Sequence, residues 1–152
     1  MSYPALNFPK TTLKLTKVKD QFMVWCEIRR KKLILTPEEW VRQHAIHFLI
    51  YTQKIPKERV ISEQTLQING QNRRCDIAVT NTYGKVVLIV ECKASSVKLD
   101  EKVFLQTSNY VAQSGAAYFW MTNGVQHVFS ACENPDIQLE DFPDLNDNYK
   151  EL

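Results

Sequence analysis

Long apolar segments are absent from this sequence of 152 residues. The two longest uninterrupted apolar runs, residues 86–90 and 116–121, fall far short of the roughly 20 residues that cross a bilayer. A secretory signal has an apolar core after a basic stretch. The first ten residues, MSYPALNFPK, do not show this pattern. We therefore expect a cytoplasmic protein with no membrane partner.

Cysteine pairs at zinc-binding spacing are also absent. The four cysteines are scattered, so we expect reduced, mostly buried thiols at Cys26, Cys75, Cys92 and Cys132. His44 and His47 lie three residues apart on a predicted helix, but no third ligand is near in sequence, which disfavours a zinc site. The phosphate-binding motif GxxxxGK(S/T) does not occur, which excludes an ATP-driven motor within these residues.

The net charge of +2 conceals a strong asymmetry. Residues 1–132 carry 18 bases and 10 acids, whereas residues 133–152 carry seven acids and one base. A basic body suits a partner that carries phosphates, with the acidic end shielding it, although a solvated charge pattern without a specific role is the alternative. We predict one domain over residues 1–132 and a loose acidic tail over residues 133–152.

The clearest helix start in the chain is at Thr36. Thr36 can cap the helix, Pro37 suits the first helical position, and Glu39 falls where a capping box requires an acid. The apolar stripe that follows predicts a helix to about Tyr51. Before it, aromatic and β-branched residues around a basic turn predict a β-hairpin over about residues 20–35.

The rest of the chain alternates strands and turns around a second helix. We predict a helix over residues 99–113 and strands over residues 60–68, 74–80, 85–93, 117–122 and 125–131, with tight turns at Asn69-Gly70 and Asn123-Gly124. The first three strands form an antiparallel meander, and the second helix makes a crossover to a parallel strand. The predicted fold is an α/β αβββαβ core with a mixed sheet flanked by helices.

Two neighbouring strands of this meander carry Asp76, Glu91 and Lys93. A two-residue turn between the strands places Asp76 directly opposite Glu91, and a four-residue turn places it one diagonal step away on the same face. An odd-length turn without a bulge would move Asp76 to the other face. Glu91 and Lys93 share a face because side chains alternate along a strand, so all three groups are predicted to converge.

Two carboxylates beside a lysine suit a hard divalent cation, Mg²⁺ or Mn²⁺. Asp76 and Glu91 would be ligands, and the main-chain carbonyl of Cys92 would add a third oxygen. The metal would activate a water, while Lys93 would orient or deprotonate that water or neutralise charge on a phosphate. The alternative is a set of surface ion pairs in which Lys93 and Arg74 merely neutralise the two acids.

The pattern of Asp76 followed by Glu91-Cys92-Lys93 after an apolar strand resembles the PD-(D/E)XK nuclease superfamily. More narrowly, five segments resemble the nuclease-like N-terminal domain of type I restriction enzyme R subunits, and its small stand-alone versions: residues 35–43 (LTPEEWVRQ), 74–76 (RCD), 90–94 (VECKA), 106–110 (QTSNY) and 122–127 (TNGVQH). This resemblance covers roughly residues 20–132. It implies a restriction-endonuclease-like fold, a magnesium-dependent endodeoxyribonuclease activity, and DNA as a partner, together with a second copy or a separate motor or specificity subunit.

The family usually has a glutamate on its first helix that points at the metal. Steps of 100° per residue from Val41 bring Glu38 into the apolar stripe and turn Glu39 almost opposite, so we favour Glu38 as this ligand. Glu39 has another task available, as the capping-box partner of Thr36.

In the nucleases that this sequence resembles, a Gln-x-x-x-Tyr pair lies beside the active site. Gln106 and Tyr110 are therefore expected to position the substrate backbone or the catalytic lysine; a buried hydrogen-bonded pair is the alternative. Arg74 is expected either to contact a phosphate or to pair with an acid. A catalytically silent DNA-binding or assembly module of the same fold, and an enzyme that cleaves RNA, are alternative functions.

Overall fold

A computed structural model describes residues 3–68, 70–135, 139–143 and 145 of the chain. Its elements are, in order, β1 (Leu15–Val18), β2 (Gln21–Cys26), β3 (Lys31–Ile34), α1 (Pro37–His47), β4 (Val60–Ile68), β5 (Gln71–Thr80), β6 (Val86–Cys92), α2 (Glu101–Gln113), β7 (Tyr118–Thr122) and β8 (His127–Ala131). Within this described part, no helix has the length and apolar character needed to cross a membrane.

The first three strands form an antiparallel sheet of their own. Strands β2 and β3 are the predicted hairpin, and β1 joins them as a third strand that the sequence did not predict. In β2 the side chains of Val24 and Cys26 are fully buried, while Met23 and Trp25 between them are half-buried. This alternation is that of a sheet with one face on the core and one toward solvent.

Helix α1 begins where the sequence predicts. The hydroxyl oxygen of Thr36 accepts a hydrogen bond from the main-chain N–H of Glu39 at 3.0 Å, and Pro37 occupies the first turn. After His47 the chain continues as a π-helical turn over Phe48–Thr52, so the helical segment ends close to the predicted Tyr51. Its apolar side faces the larger sheet.

That larger sheet has the strand order β4-β5-β6-β7-β8 and is mixed, as predicted. Only β6 and β7 pair in parallel, and α2 is the crossover between them. One core cluster lies between the sheet and α1 and includes Val41, Leu49 and Trp120. A second cluster lies beneath α2 and includes Phe104 and Phe119. All four cysteines are buried, as expected.

Helix α2 packs through a face that includes Tyr110 only in part and leaves Gln106 outside it. Its buried residues are Phe104, Ser108 and Val111, whereas Gln106 is exposed. The alternative of a buried Gln106–Tyr110 pair is therefore wrong. The aromatic ring of Phe104 stacks on Phe119 with centroids 5.3 Å apart and sets the helix rotation, because burying such a ring removes more apolar surface from water than burying a smaller side chain.

The turn between β5 and β6 has neither of the two predicted lengths. Residues 81–85 form a five-residue loop, in which Asn81 Oδ1 accepts the N–H groups of Tyr83 and Lys85, each at 2.9 Å. A bulge between Val79 and Thr80 shifts the register by one residue. The odd loop and the bulge together give the same pairing as a two-residue turn would give. Beyond the bulge, β5 and β6 therefore pair in the register predicted for that turn.

Both ends of the described chain pack on the domain. Phe8 contacts the rings of His44, Phe48, Trp120 and His127. Phe142 packs edge-on against Trp120, with centroids 5.6 Å apart, and Leu145 is buried in the core. The expected loose tail is therefore wrong at Phe142 and Leu145, because both bury apolar surface against the core.

Some expectations fall on residues outside the described set. Residues 136–138, 144 and 146–152, which carry four of the tail's seven acids, are among them. So is Asn69 of the predicted Asn69-Gly70 turn, although Gly70 itself has a φ of +75°. At the other predicted tight turn, Gly124 has a φ of +88°, and its carbonyl accepts the N–H of Asn7 at 2.7 Å.

The packing of the N-terminal segment can be tested at Gly124. A Cβ placed there lies 2.7 Å from Leu6 Cδ2, whereas a Cβ at Gly84, with a similar φ of +82°, meets nothing within 4 Å. We expect both Gly124→Ala and Gly84→Ala to lose about 1–2 kcal/mol of unfolding free energy from the left-handed backbone, and Gly124→Ala to lose more. Urea denaturation measures the difference. Equal losses, or no recovery when Leu6→Ala is added to Gly124→Ala, would contradict this contact.

Candidate active site

Asp76 lies where β5 and β6 separate. The regular pairing between them ends at Ile77 and Val90, and the same register continued by one step sets Asp76 opposite Glu91. Successive N–H groups of a strand point to opposite sides. Because the N–H of Lys93 donates to Thr122 of β7 at 2.8 Å, the N–H of Cys92 points toward β5, where Asp76 Oδ2 accepts it at 2.7 Å. The main chain of β6 therefore fixes the orientation of the Asp76 carboxylate.

The side chain of Glu91 is held by helix α2. The hydroxyl of Tyr110 on α2 donates to Glu91 Oε1 at 3.0 Å. Burial and the nearby charge of Asp76 raise the pKa of Glu91 to about 7. Burial likewise raises the pKa of Asp76, against the opposing effects of the Cys92 N–H and of Arg42. Lys93 lowers the pKa of both acids, so its charge partly compensates this buried carboxylate pair.

Arg42 of α1 is a member of the site that the sequence did not identify. Only 8% of the residue is exposed. Its guanidinium donates to Asp76 Oδ1 at 3.2 Å and also contacts Glu38 at 3.3 Å, Glu39 at 3.3 Å and Glu63 at 3.1 Å. The position lies within the segment LTPEEWVRQ, but no spacing rule distinguishes a buried arginine from the solvated basic residues elsewhere in the chain.

Glu63 was missed for a different reason. It lies in β4 opposite Asp76 and has a φ of +58°, a left-handed conformation in the middle of a strand. Its carboxylate accepts from Arg29 at 2.8 Å, from Arg74 at 2.6 Å and from Arg42. Although burial raises its pKa, these arginines lower the pKa of Glu63 below its ordinary value. Strand periodicity alone assigns Glu63 no partner, so the three arginines could not be foreseen.

The two candidate glutamates of α1 differ in burial from the prediction, because Glu38 is exposed and Glu39 is buried. Glu38 has a side chain that is 47% exposed, and its charge raises the pKa of both Asp76 and Glu91, so it lies near the pair. The placement of Glu39 opposite the buried face is wrong, because only 7% of Glu39 is exposed. Its carboxylate accepts from the buried Gln43 at 3.0 Å, which provides a partner inside the domain.

The remaining predicted residues surround the carboxylate pair. Arg74 is 67% exposed and pairs with Glu63, so of its two expected roles the structure displays the ion pair. Arg73 lies over the ring of Tyr110, 5.3 Å from the centroid. Gln106 is exposed on α2, one helical turn before Tyr110, and Lys93 is half-buried.

The donor set is that of a hard cation. Within the part of the chain described here, no three His, Cys, Asp or Glu side chains form a metal-binding group. Mg²⁺ usually keeps several waters and takes only one or two carboxylates, so the oxygens of Asp76 and Glu91 with the Cys92 carbonyl fit it without a third side chain. Arg42 already contacts Asp76 Oδ1, and a metal would share that oxygen.

The importance of the Arg42 network can be measured by comparing two arginines that contact the same acid. Arg42→Met leaves the carboxylates of Glu39 and Asp76 inside the protein without this cation. We expect it to lower the unfolding free energy by about 3 kcal/mol. Arg74→Met removes a largely exposed partner of Glu63 and should lose about 1 kcal/mol or less. Urea denaturation of both variants gives the two values. A loss for Arg42→Met no larger than that for Arg74→Met would rule out a buried bridging role.

Comparison with known families supplies an independent finding. The family model described as type I restriction enzyme R protein N terminus matches residues 37–145, which include α1, α2 and the whole five-stranded sheet. No curated protein matches the chain. The matched range begins after β3, so the three-stranded sheet lies outside it. The chain thus belongs to the family of type I restriction enzyme R protein N-terminal domains, which is part of the PD-(D/E)XK nuclease-like group.

Proposed function

We propose that this chain is a metal-dependent nuclease that hydrolyses phosphodiester bonds of DNA. The observation that carries the proposal is the carboxylate pair: Asp76 lies opposite Glu91 in the continued register, the first fixed by the Cys92 N–H and the second by Tyr110. Surface ion pairs do not account for it, because both acids are largely buried and this burial raises the pKa of each.

Mg²⁺, or Mn²⁺ in its place, would be held by Asp76, Glu91 and the main-chain oxygen of Cys92, with Glu38 as a further candidate ligand. When bound, such an ion lowers the pKa of a bound water and stabilises negative charge on the phosphate. A divalent cation would add to the positive charge that Arg42 and Lys93 already bring to the two carboxylates.

The residues of the chain then have separate tasks. Lys93 follows Glu91 by two positions, so its ammonium group extends from the same face of β6 and can donate to the attacking water or to a phosphate oxygen. Tyr110 holds Glu91 Oε1 in place. Arg74 can exchange its exposed contact with Glu63 for a phosphate, and Gln106 is exposed where it can donate to the DNA backbone.

The name of the family, a restriction enzyme R protein, supports DNA as the substrate. It also supports further protein partners, which for this chain would be a second copy or a separate motor or specificity subunit. A second copy would let each site cut one strand of a duplex.

One observation favours a second candidate function, a catalytically silent DNA-binding or assembly module. Arg42 already contacts Asp76 Oδ1, and among the residues that the structure describes no three acidic, histidine or cysteine side chains are placed to hold a metal ion. In that case the domain would bind DNA through its arginines and lysines without cutting it.

A plasmid-nicking assay distinguishes the two functions. Supercoiled and single-stranded DNA are incubated with the purified chain in Mg²⁺, Mn²⁺ or EDTA. We expect nicking that requires the metal and falls by about 10²-fold or more in Asp76→Asn, Glu91→Gln and Lys93→Met. Two matched variants, Asp20→Asn at a 99% exposed carboxylate and Lys85→Met at an exposed turn, should cut normally.

Each outcome of this assay leads to a different conclusion. Nicking that survives in the three site variants would come from a contaminating nuclease and would contradict the proposal. DNA binding without nicking in any metal would establish the silent module instead. Circular dichroism of each variant shows whether a loss of nicking reflects a loss of fold.

A further inference from the structure

A tryptophan lies between two lysines on the small sheet formed by β1, β2 and β3. The N–H of Trp25 in β2 donates to the carbonyl of Lys14 at 3.0 Å, and Trp25 pairs with Lys32 of β3. Residues directly opposite one another on neighbouring strands extend their side chains from the same face. The sheet therefore presents a row of lysine, tryptophan and lysine across its three strands.

This row is on the face that is turned away from the core. Val24 and Cys26, which flank Trp25 in β2, are fully buried, so the alternation along the strand turns Trp25 and Met23 outward. Ile34, which pairs with Met23, is 51% exposed. The outer face thus combines a half-buried indole with apolar neighbours and two cationic side chains.

A cleft of about 620 Å³ adjoins the tryptophan, and its lining includes Lys14, Trp25, Ile28 and Arg30. This volume lies within the usual range of small-ligand sites. Two acids also line the cleft, but the carboxylate of Glu27 is already engaged. It accepts from the hydroxyl of Tyr51 at 2.7 Å and pairs with Lys57 at 3.4 Å. Glu58 is exposed at its rim.

The segment around this face is strongly basic. Residues 10–32 contain eight bases and only two acids, Asp20 and Glu27. The charge of this segment therefore exceeds the net +2 of the whole chain. Such a surface attracts a polyanion, and a partly exposed aromatic ring among the cations suits a polyanion whose bases can stack on it.

The turn between β2 and β3 connects this face to the candidate active site. Arg29 in that turn pairs with Glu63 at 2.8 Å, and Glu63 pairs with Arg42, which contacts Asp76. The turn that follows Trp25 is thus tied by ion pairs to the residues around Asp76. The small sheet lies outside the matched range of residues 37–145, so the family match says nothing about this surface.

We propose that the outer face of the three-stranded sheet is a binding site for single-stranded DNA. An unpaired base stacks on Trp25, and the flanking phosphates bind Lys14, Lys32 and Arg30. The strand must be single because the bases of a duplex are already stacked on one another and do not expose a face to the indole. The proposal goes beyond the cleavage function, since this surface binds DNA whether or not Asp76 and Glu91 cut it.

Fluorescence anisotropy of a labelled oligo-dT, measured in EDTA so that no metal-dependent cleavage occurs, tests the site. Trp25→Ala should weaken binding by roughly 5- to 100-fold, while Trp25→Phe should keep most of it because a ring remains. Lys14→Ala and Lys32→Ala should each reduce the slope of log affinity against log salt by about 0.7. Lys85→Ala, which removes the same charge from an exposed turn, should bind like the unchanged chain.

The proposal fails if Trp25→Ala, folded by circular dichroism, binds oligo-dT normally, or if a duplex of equal length binds as tightly as the single strand. Tighter binding of an oligo-rU would replace DNA with RNA as the occupant and overturn the proposal. A chain that binds oligo-dT through Trp25 but never nicks plasmid would contradict the nuclease function and leave this site intact.

Discussion

Helix α1 is joined to the larger sheet by one buried cation, the guanidinium of Arg42, which contacts carboxylates of α1, β4 and β5. Moving an isolated guanidinium into the interior costs several kcal/mol, so the arrangement is stable only while these acids remain in place. Asp76 is consequently fixed twice, by Arg42 and by the Cys92 N–H. The left-handed backbone of Glu63 costs about 1–2 kcal/mol. It is retained because the carboxylate of Glu63 pairs with the guanidinium of Arg42.

Local signals in the sequence were sufficient for the elements that form the frame of the site. The cap at Thr36, the strand β4 and the crossover at α2 each depend on residues close together in the chain, and each is confirmed. The facing positions of Asp76 and Glu91 were predicted from the parity of the connecting turn. The two residues face each other although the loop has an odd number of residues and neither predicted length, because a bulge added the residue that an odd loop requires.

What sequence reasoning missed depends on contacts between residues far apart in the chain. The rotation of α2 follows from Phe104 stacking on Phe119, and the packing of Leu145 follows from space left by the core. Glu39 is buried because Gln43 and Arg42 meet it there, against its expected direction. Arg42 itself looks like any basic residue of a surface helix. Only assembled elements show that its partners are acids from three parts of the chain.

The same network explains how a cation could enter beside Arg42. Asp76 Oδ2 accepts the Cys92 N–H and Oδ1 accepts from Arg42, so a metal would share one of these oxygens with a donor. Each carboxylate oxygen has two acceptor directions, so sharing is geometrically possible. If Arg42 withdraws from Asp76, it retains Glu38, Glu39 and Glu63 and does not become an unpaired buried charge. The surplus of acids around Arg42 therefore keeps its guanidinium paired when the contact with Asp76 is given up, and a metal at Asp76 would require this of the arginine.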